Sequence, residues 1–157
     1  MKKKHILFLL FSVLINTLYS QIVINEYSAA NYESHLDNYG EYEDWIELYN
    51  TTSTDIDLNG WFLSDKTSNT NKWQFMSSYI ISANSVGIIY CSGNDEVLGG
   101  FAHTNFKITQ TTGNEVFILS DPSSIIIDSI TVIPNLKSHS RGRDVNGGSS
   151  WSVFTSP

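Results

Sequence analysis

Cysteine is nearly absent. The chain has one, Cys91, so no disulfide can form within it. The fold must be held by its own core, and 157 residues are enough to build one. Cys91 ends the apolar run Val86-Gly87-Ile88-Ile89-Tyr90-Cys91. A buried thiol is expected there, since free Cys is among the most buried residue types. A catalytic thiol would need a nearby His and a depressed pKa. Positive charge is also scarce, with nine Lys and Arg against sixteen Asp and Glu. Three of the nine are Lys2, Lys3 and Lys4. Without them six basic residues face sixteen acidic ones, a net charge of −10. That balance argues against nonspecific nucleic-acid binding, which depends on cationic neutralisation of phosphates. It argues equally against docking on an anionic membrane surface. Helical periodicity is missing too. Beyond residue 20 no stretch carries apolar residues at i, i+3, i+4 and i+7 over two turns.

Residues 1–20 have the order of a secretory signal. Lys2 to Lys4 form the positive start, Ile6 to Ile15 the apolar run, and Asn16 to Ser20 a polar exit ending at a plausible cleavage point. The apolar run is too short to span a bilayer comfortably. No Cys follows it, which argues against a lipid anchor. The expected organisation is a signal peptide over 1–20 and one domain over 21–157, secreted or held at the cell surface.

Strand signals fill the rest. Ile22 to Glu26 is the first, followed by a long polar stretch, Tyr27 to Glu43, of the kind that is usually functional in a compact domain. Asp44-Trp45-Ile46-Glu47-Leu48-Tyr49-Asn50 alternates, with Ile46 and Leu48 on one face and Trp45, Glu47 and Tyr49 on the other. Asp57-Leu58-Asn59-Gly60-Trp61-Phe62-Leu63-Ser64-Asp65 is expected to pair with it as an antiparallel hairpin. Trp73-Gln74-Phe75 is short and aromatic. Tyr79 to Ile81 and Ser85 to Cys91 flank Ser82-Ala83-Asn84 as a second expected hairpin. Ser92 to Gly100 reads as loop, His103 to Ile108 as a short extended piece, and Thr111 to Asn114 as a turn. Glu115 to Ser120 is apolar on both faces, as a central strand is. Ile125 to Val132 is rich in β-branched residues. Trp151 to Phe154 is the last strand. Short strands near ten-residue spacing point to an all-β antiparallel sandwich or barrel.

The ordered set of motifs resembles the lamin-tail domain in its bacterial exported form. It runs from Val23-Ile24-Asn25-Glu26 through Asp44 to Asn50 and Asp57 to Asp65. It continues with Trp73-Gln74-Phe75, His103-Thr104-Asn105-Phe106-Lys107-Ile108, Gly113 to Val116, Asp128-Ser129-Ile130 and Ser140-Arg141-Gly142-Arg143. The resemblance spans about residues 22–157. It implies an immunoglobulin-like β-sandwich without catalytic residues, with Trp45, Trp61 and Phe106 as core or near-core anchors and Gly60 and Gly142 accommodating the backbone. In nuclear lamins the domain contacts proteins and chromatin. Bacterial relatives are typically accessory modules beside hydrolases on larger exported proteins. Such relatives usually continue into a Pro-rich linker where this sequence has Thr155-Ser156-Pro157. A lone module or the front of a longer protein is therefore expected.

No catalytic, cofactor-binding or metal-ligating residue is assigned, and no cofactor is expected. The reading is a non-catalytic exported binding or anchoring module that contacts a protein, a surface polymer or a neighbouring domain. Several features stand against that bland account. Glu33, Asp37, Glu41, Glu43 and Asp44 crowd one loop and would suit calcium, though without EF-hand spacing. A solvated acidic loop is the ordinary alternative. With His103 the same loop would serve a divalent-metal-dependent secreted hydrolase or its metal-binding accessory domain, a reading that substitution of Asp37, Glu41 and Glu43 by Ala would test. His35, His103 and His139 form no His-x-x-x-His pair, and His103 suits a structural hydrogen bond better. There is no Gly-x-Ser-x-Gly elbow and no phosphate-binding Gly loop. Arg141 and Arg143 are expected in a turn, paired with local carboxylates. Trp45, Tyr49 and Trp73 would make either an exposed aromatic platform or packing between two sheets.

Overall fold

The computed structural model describes residues 20–109 and 115–157. The expected export segment and the turn at Thr111 to Asn114 fall outside these. Among the described residues there is no helix, and none long and apolar enough to cross a membrane.

The long first sheet is built around β1 (Ile22–Ser28), β2 (Trp45–Asn50) and β7 (Val86–Tyr90), in that spatial order. Its far side carries β9 (Phe101–His103) and then β8 (Glu96–Leu98) at the edge. Its near side carries β12 (Ser140–Arg143) and β13 (Trp151–Phe154). The facing sheet has the order β11 (Ile126–Thr131), β10 (Val116–Ser120), β4 (Phe62–Ser64), β5 (Trp73–Gln74). A two-stranded ribbon of β3 (Ile56–Asp57) and β6 (Ile80–Ile81) completes the fold. Neighbours are antiparallel except β7 and β9, which run parallel. The architecture is the immunoglobulin-like sandwich the resemblance implies.

The core lies between the sheets. Ile22, Ile24, Ile46, Leu48 and Ile89 come from one side; Leu63, Trp73, Phe117 and Leu119 come from the other. Each fully buried aliphatic side chain contributes about 1.5–3 kcal/mol by leaving water. Tyr27 of β1 meets Phe117 of β10 edge-on at 5.4 Å, an aromatic contact across the two layers. Trp61 and Phe106 belong to this cluster, as expected of anchors, and Cys91 is buried in it. Burial pushes the Cys91 thiol well above its ordinary pKa, against reactivity.

Both expected hairpins are absent. β2 pairs with β1 and β7, whereas β4 lies in the opposite sheet. The chain crosses between layers at the turn Leu58 to Trp61, where Trp61 N–H donates to Leu58 O and Gly60 takes φ +88°. Only Gly adopts that backbone without penalty. Likewise β6 pairs with β3 rather than with β7. The stretch Ser92 to Gly100 holds strand β8, and the extended piece expected at His103 to Ile108 ends at His103. Ser140 to Arg143 is strand, not turn. Gly142 sits where a Cβ would come within 2.7 Å of Glu26 Cγ, so close strand approach explains this glycine.

Candidate interaction surface

Loop 29–44 carries no strand, yet it is tightly held. Four residues in cross-strand register on the outer face of the long sheet hold it down. They are Trp45 on β2, Tyr90 on β7, His103 on β9 and Glu96 on β8, each opposite the next. Trp45 Nε1–H donates to Ser34 Oγ at 3.3 Å. Tyr90 O–H donates to Leu36 O at 2.8 Å. His103 Nε2 lies 2.7 Å from Asn38 Oδ1, and its Nδ1 2.9 Å from Ser92 Oγ. Tyr39 O–H donates to Glu96 Oε1 at 2.5 Å. Alternate loop residues, 34, 36 and 38, thus meet successive strands.

The loop also closes on itself. Asn31, buried, donates through Nδ2 to Ser34 O at 2.7 Å and to Glu43 O at 2.9 Å, joining both ends. Asp37 Oδ1 accepts from the amides of Tyr39 and Glu41, both at 2.8 Å. Asp44 Oδ1 accepts from Asn31 N–H at 3.0 Å. With so many groups satisfied within it, the loop presents a fixed outer surface. That surface carries Tyr32, Leu36, Tyr39 and Tyr42, between 44% and 55% exposed. Beside it a cleft of about 540 Å³ opens, lined by Tyr32, Glu41, Tyr42, Glu43, Asp44 and Lys107.

Asp44 is the electrostatically unusual group here. Burial is the chief cause that lifts its pKa from 3.8 to about 6; the Asn31 amide opposes this, and Glu43 adds to it. A raised carboxyl pKa favours the protonated fold. Its contribution is full below the unfolded value and is lost as pH rises through about 6. Asp44→Asn keeps an acceptor for Asn31 and removes the charge. We expect no stability change near pH 4 and a gain of about 1–2 kcal/mol near pH 8, discounted for partial exposure. Urea midpoints at the two pH values check this. A loss near pH 8 would show that the carboxylate is favourably solvated.

A family model described as Lamin Tail Domain matches residues 16–134. The chain belongs to the lamin tail domain family. No curated protein matches it. The family match ends before β12 and β13, whereas the sequence resemblance ran through Ser140 to Arg143 to the end of the chain.

Within this lamin tail domain the acidic loop residues and histidines weighed as a metal site do not converge, although Glu41, Glu43 and Asp44 share the cleft lining. Asp37 and Asp44 turn to backbone amides, and Glu43 pairs with Lys107 at 3.2 Å. Glu33 and Glu41 are exposed. His103 is fully buried under the loop. His35 packs edge-on against Trp45 at 4.9 Å, and His139 Nδ1–H donates to Lys137 O. Among the described residues no group of three or more His, Cys, Asp or Glu could hold a metal ion. Arg143 pairs with a carboxylate, Asp128 at 3.0 Å, but from a strand and across the two sheets, and among the described residues Arg141 makes no ion pair.

The platform of Trp45, Tyr49 and Trp73 does not exist. Trp73 is buried in the core, and Trp45 is buried beneath the loop rather than between the sheets. The exposed aromatics are the loop tyrosines instead. Their signal was present in the sequence as Tyr32, Tyr39 and Tyr42 within a long polar stretch.

Proposed function

We propose that this lamin tail domain is an exported, non-catalytic binding module, secreted or cell-surface, whose contact surface is loop 29–44. Lamin tail domains are immunoglobulin-like interaction modules, which sets the coarse class. One observation supports the surface: a long loop, fixed by four strands, turns three tyrosines and a leucine outward. Tyr supplies large amphipathic contact area at low entropic cost, and a preorganised loop loses little freedom on binding.

The test compares capture from cell-surface extract by three forms of the domain. The first is unchanged. The second carries Leu36→Ser, Tyr39→Ala and Tyr42→Ala. The third carries Val153→Ala on edge strand β13. A protein held by the first and third and lost by the second supports the reading, with a loss of about tenfold or more for hot-spot aromatics. Capture unaffected in the second form moves the function elsewhere on the fold. Metal-dependent hydrolytic turnover that is lost on changing Asp37, Glu41 and Glu43 to Ala would replace the reading altogether.

A further inference from the structure

We propose that a pocket at the step between β12 and β11 binds a small monocarboxylate through Arg141, with the ligand's apolar body against Trp151, Ile130 and Ile133. This is a second site and does not rest on the loop reading. Loop 29–44 lies on the outer face of the long sheet, whereas the pocket opens on its inner face, where Tyr27 joins the core. The facing sheet ends at β11, while the long sheet runs on through β12 and β13. At that step lies a cavity of about 260 Å³, lined by Tyr27, Ile130, Thr131, Ile133, Arg141 and Trp151. Its aromatic walls are held in place. Tyr27 O–H donates to Ile133 O at 3.0 Å, and its oxygen accepts from Ile133 N–H at 2.8 Å. The Trp151 ring lies 6.3 Å from that of Tyr27, with the Arg143 guanidinium over it at 5.1 Å. A site formed in advance loses little freedom on binding.

The two arginines of β12 are used differently. Arg143 is spent on Asp128, Ile24 and Gly148. Arg141, in register with Tyr27 of β1, is half-buried, and among the described residues it makes no ion pair. Burial raises the Tyr27 pKa; the hydrogen bond with Ile133 and the Arg141 charge oppose this, so the guanidinium acts on the pocket wall. A guanidinium presents a planar fork that a carboxylate meets with two hydrogen bonds. Beside apolar walls that attraction is screened less than at an open surface. The walls and the volume define the rest of the ligand. Two isoleucines, Tyr27 and Trp151 favour an apolar body. About 260 Å³ is below the roughly 300–1,000 Å³ of drug-sized sites, so it suits a single ring or a short alkyl chain. A formal net charge of −7 disfavours a dianion such as a phosphate monoester, which leaves one negative charge as the match for Arg141. A free small acid carries that chemistry, and so does the C-terminal residue of a peptide.

The experiment titrates the protein with phenylacetate and follows amide and indole NMR shifts. Phenylacetamide is the neutral counterpart, and inorganic phosphate the anion without an apolar body. Shifts centred on Tyr27, Ile130, Arg141 and Trp151, reproduced by neither control, are expected. Arg141→Gln should weaken phenylacetate about tenfold, the scale of one charge-assisted hydrogen bond. Arg141→Lys keeps the charge but not the fork, and should recover part of that loss. Ile133→Ser leaves Arg141 and the backbone that holds Tyr27 in place, and should weaken binding about three- to tenfold through lost apolar contact. Acetyl-glycyl-phenylalanine separates the two sources: tighter binding than phenylacetate assigns the pocket to a chain end, weaker binding to a free acid. Equal shifts from either control, shifts centred elsewhere, or an affinity unchanged by Arg141→Gln would overturn the inference. Should Arg141→Gln fail to fold, Ile133→Ser decides, and unchanged affinity there has the same force. The loop variant at Leu36, Tyr39 and Tyr42 should titrate like the unchanged protein, so either proposal can fail while the other stands.

Discussion

Replacing Trp45 by Ala is expected to cost about 3–5 kcal/mol and to free loop 29–44 from the sheet. The ring is fully buried but lies outside the inter-sheet core. Its loss removes the packing face for His35 and the donor for Ser34 Oγ in one step. The neighbouring anchors, Tyr90 to Leu36 and His103 to Asn38, would then hold only the outer half of the loop. Two readouts separate global from local loss. The urea midpoint reports the first, at unchanged denaturant slope. Hydrogen exchange at the amides of residues 31–44 reports the second. Trp45→Phe keeps an aromatic ring against His35 and should cost far less. A Trp45→Ala variant with a shift below about 1 kcal/mol and unchanged exchange would mean that Asn31 and Asp37 alone hold the loop.

Trp45 also shows where sequence reasoning runs short. Alternation in Asp44 to Asn50 correctly put Trp45 on the face opposite Ile46 and Leu48. Period two fixes which residues share a face, but not what covers that face. The cover is a loop from earlier in the chain, tied down by residues on β7, β9 and β8. Those ties are non-local, and no spacing announces them. The hairpins failed for a related reason. Sequential strands pair about two-thirds of the time, and the expectation followed that habit. Here Asn50 intervenes: fully buried, it donates to Thr54 O at 2.7 Å and Ile81 O at 3.0 Å. Its side chain fastens the end of β2 to the ribbon strand β6, while its backbone stays in register with Ile22 of β1 in the long sheet. By contrast β10 was legible. Val116 to Ser120 is apolar on both faces, and the strand, flanked by β4 and β11, is nearly enclosed. Strand β8 was not, since Glu96 to Leu98 is three residues set among Gly, Asn and Asp.

The loop surface and its cleft depend on the two sheets staying clasped, and a single ion pair clasps one side. In β1 a bulge falls between Ile24 and Glu26. β1 pairs with β12 at Glu26 with Gly142 and at Tyr27 with Arg141, so Ile24 lies beyond this pairing. Both polar groups of Ile24 on that side are met by side chains instead. Its N–H donates to Asp128 Oδ2 at 2.8 Å, from β11 in the other sheet. Its carbonyl accepts from Arg143 Nε at 2.9 Å. Arg143 and Asp128 then pair with each other at 3.0 Å, with side chains only 12% and 17% exposed. Arg143 also donates to Gly148 O and lies 5.1 Å over the Trp151 ring. Arg143→Met fills similar volume but leaves Asp128 charged and the Ile24 carbonyl unmet. We expect a loss of about 3–5 kcal/mol, the scale for breaking a buried pair by removing one partner. Asp128→Asn keeps an acceptor for Ile24 and should cost less. In the double variant the charge on Asp128 is gone, so the losses should fall short of their sum by about 1–3 kcal/mol. Chemical denaturation of the four forms measures that coupling. Strict additivity would mean that Arg143 stabilises through Ile24, Gly148 and Trp151 alone, and that the ion pair between the sheets contributes nothing.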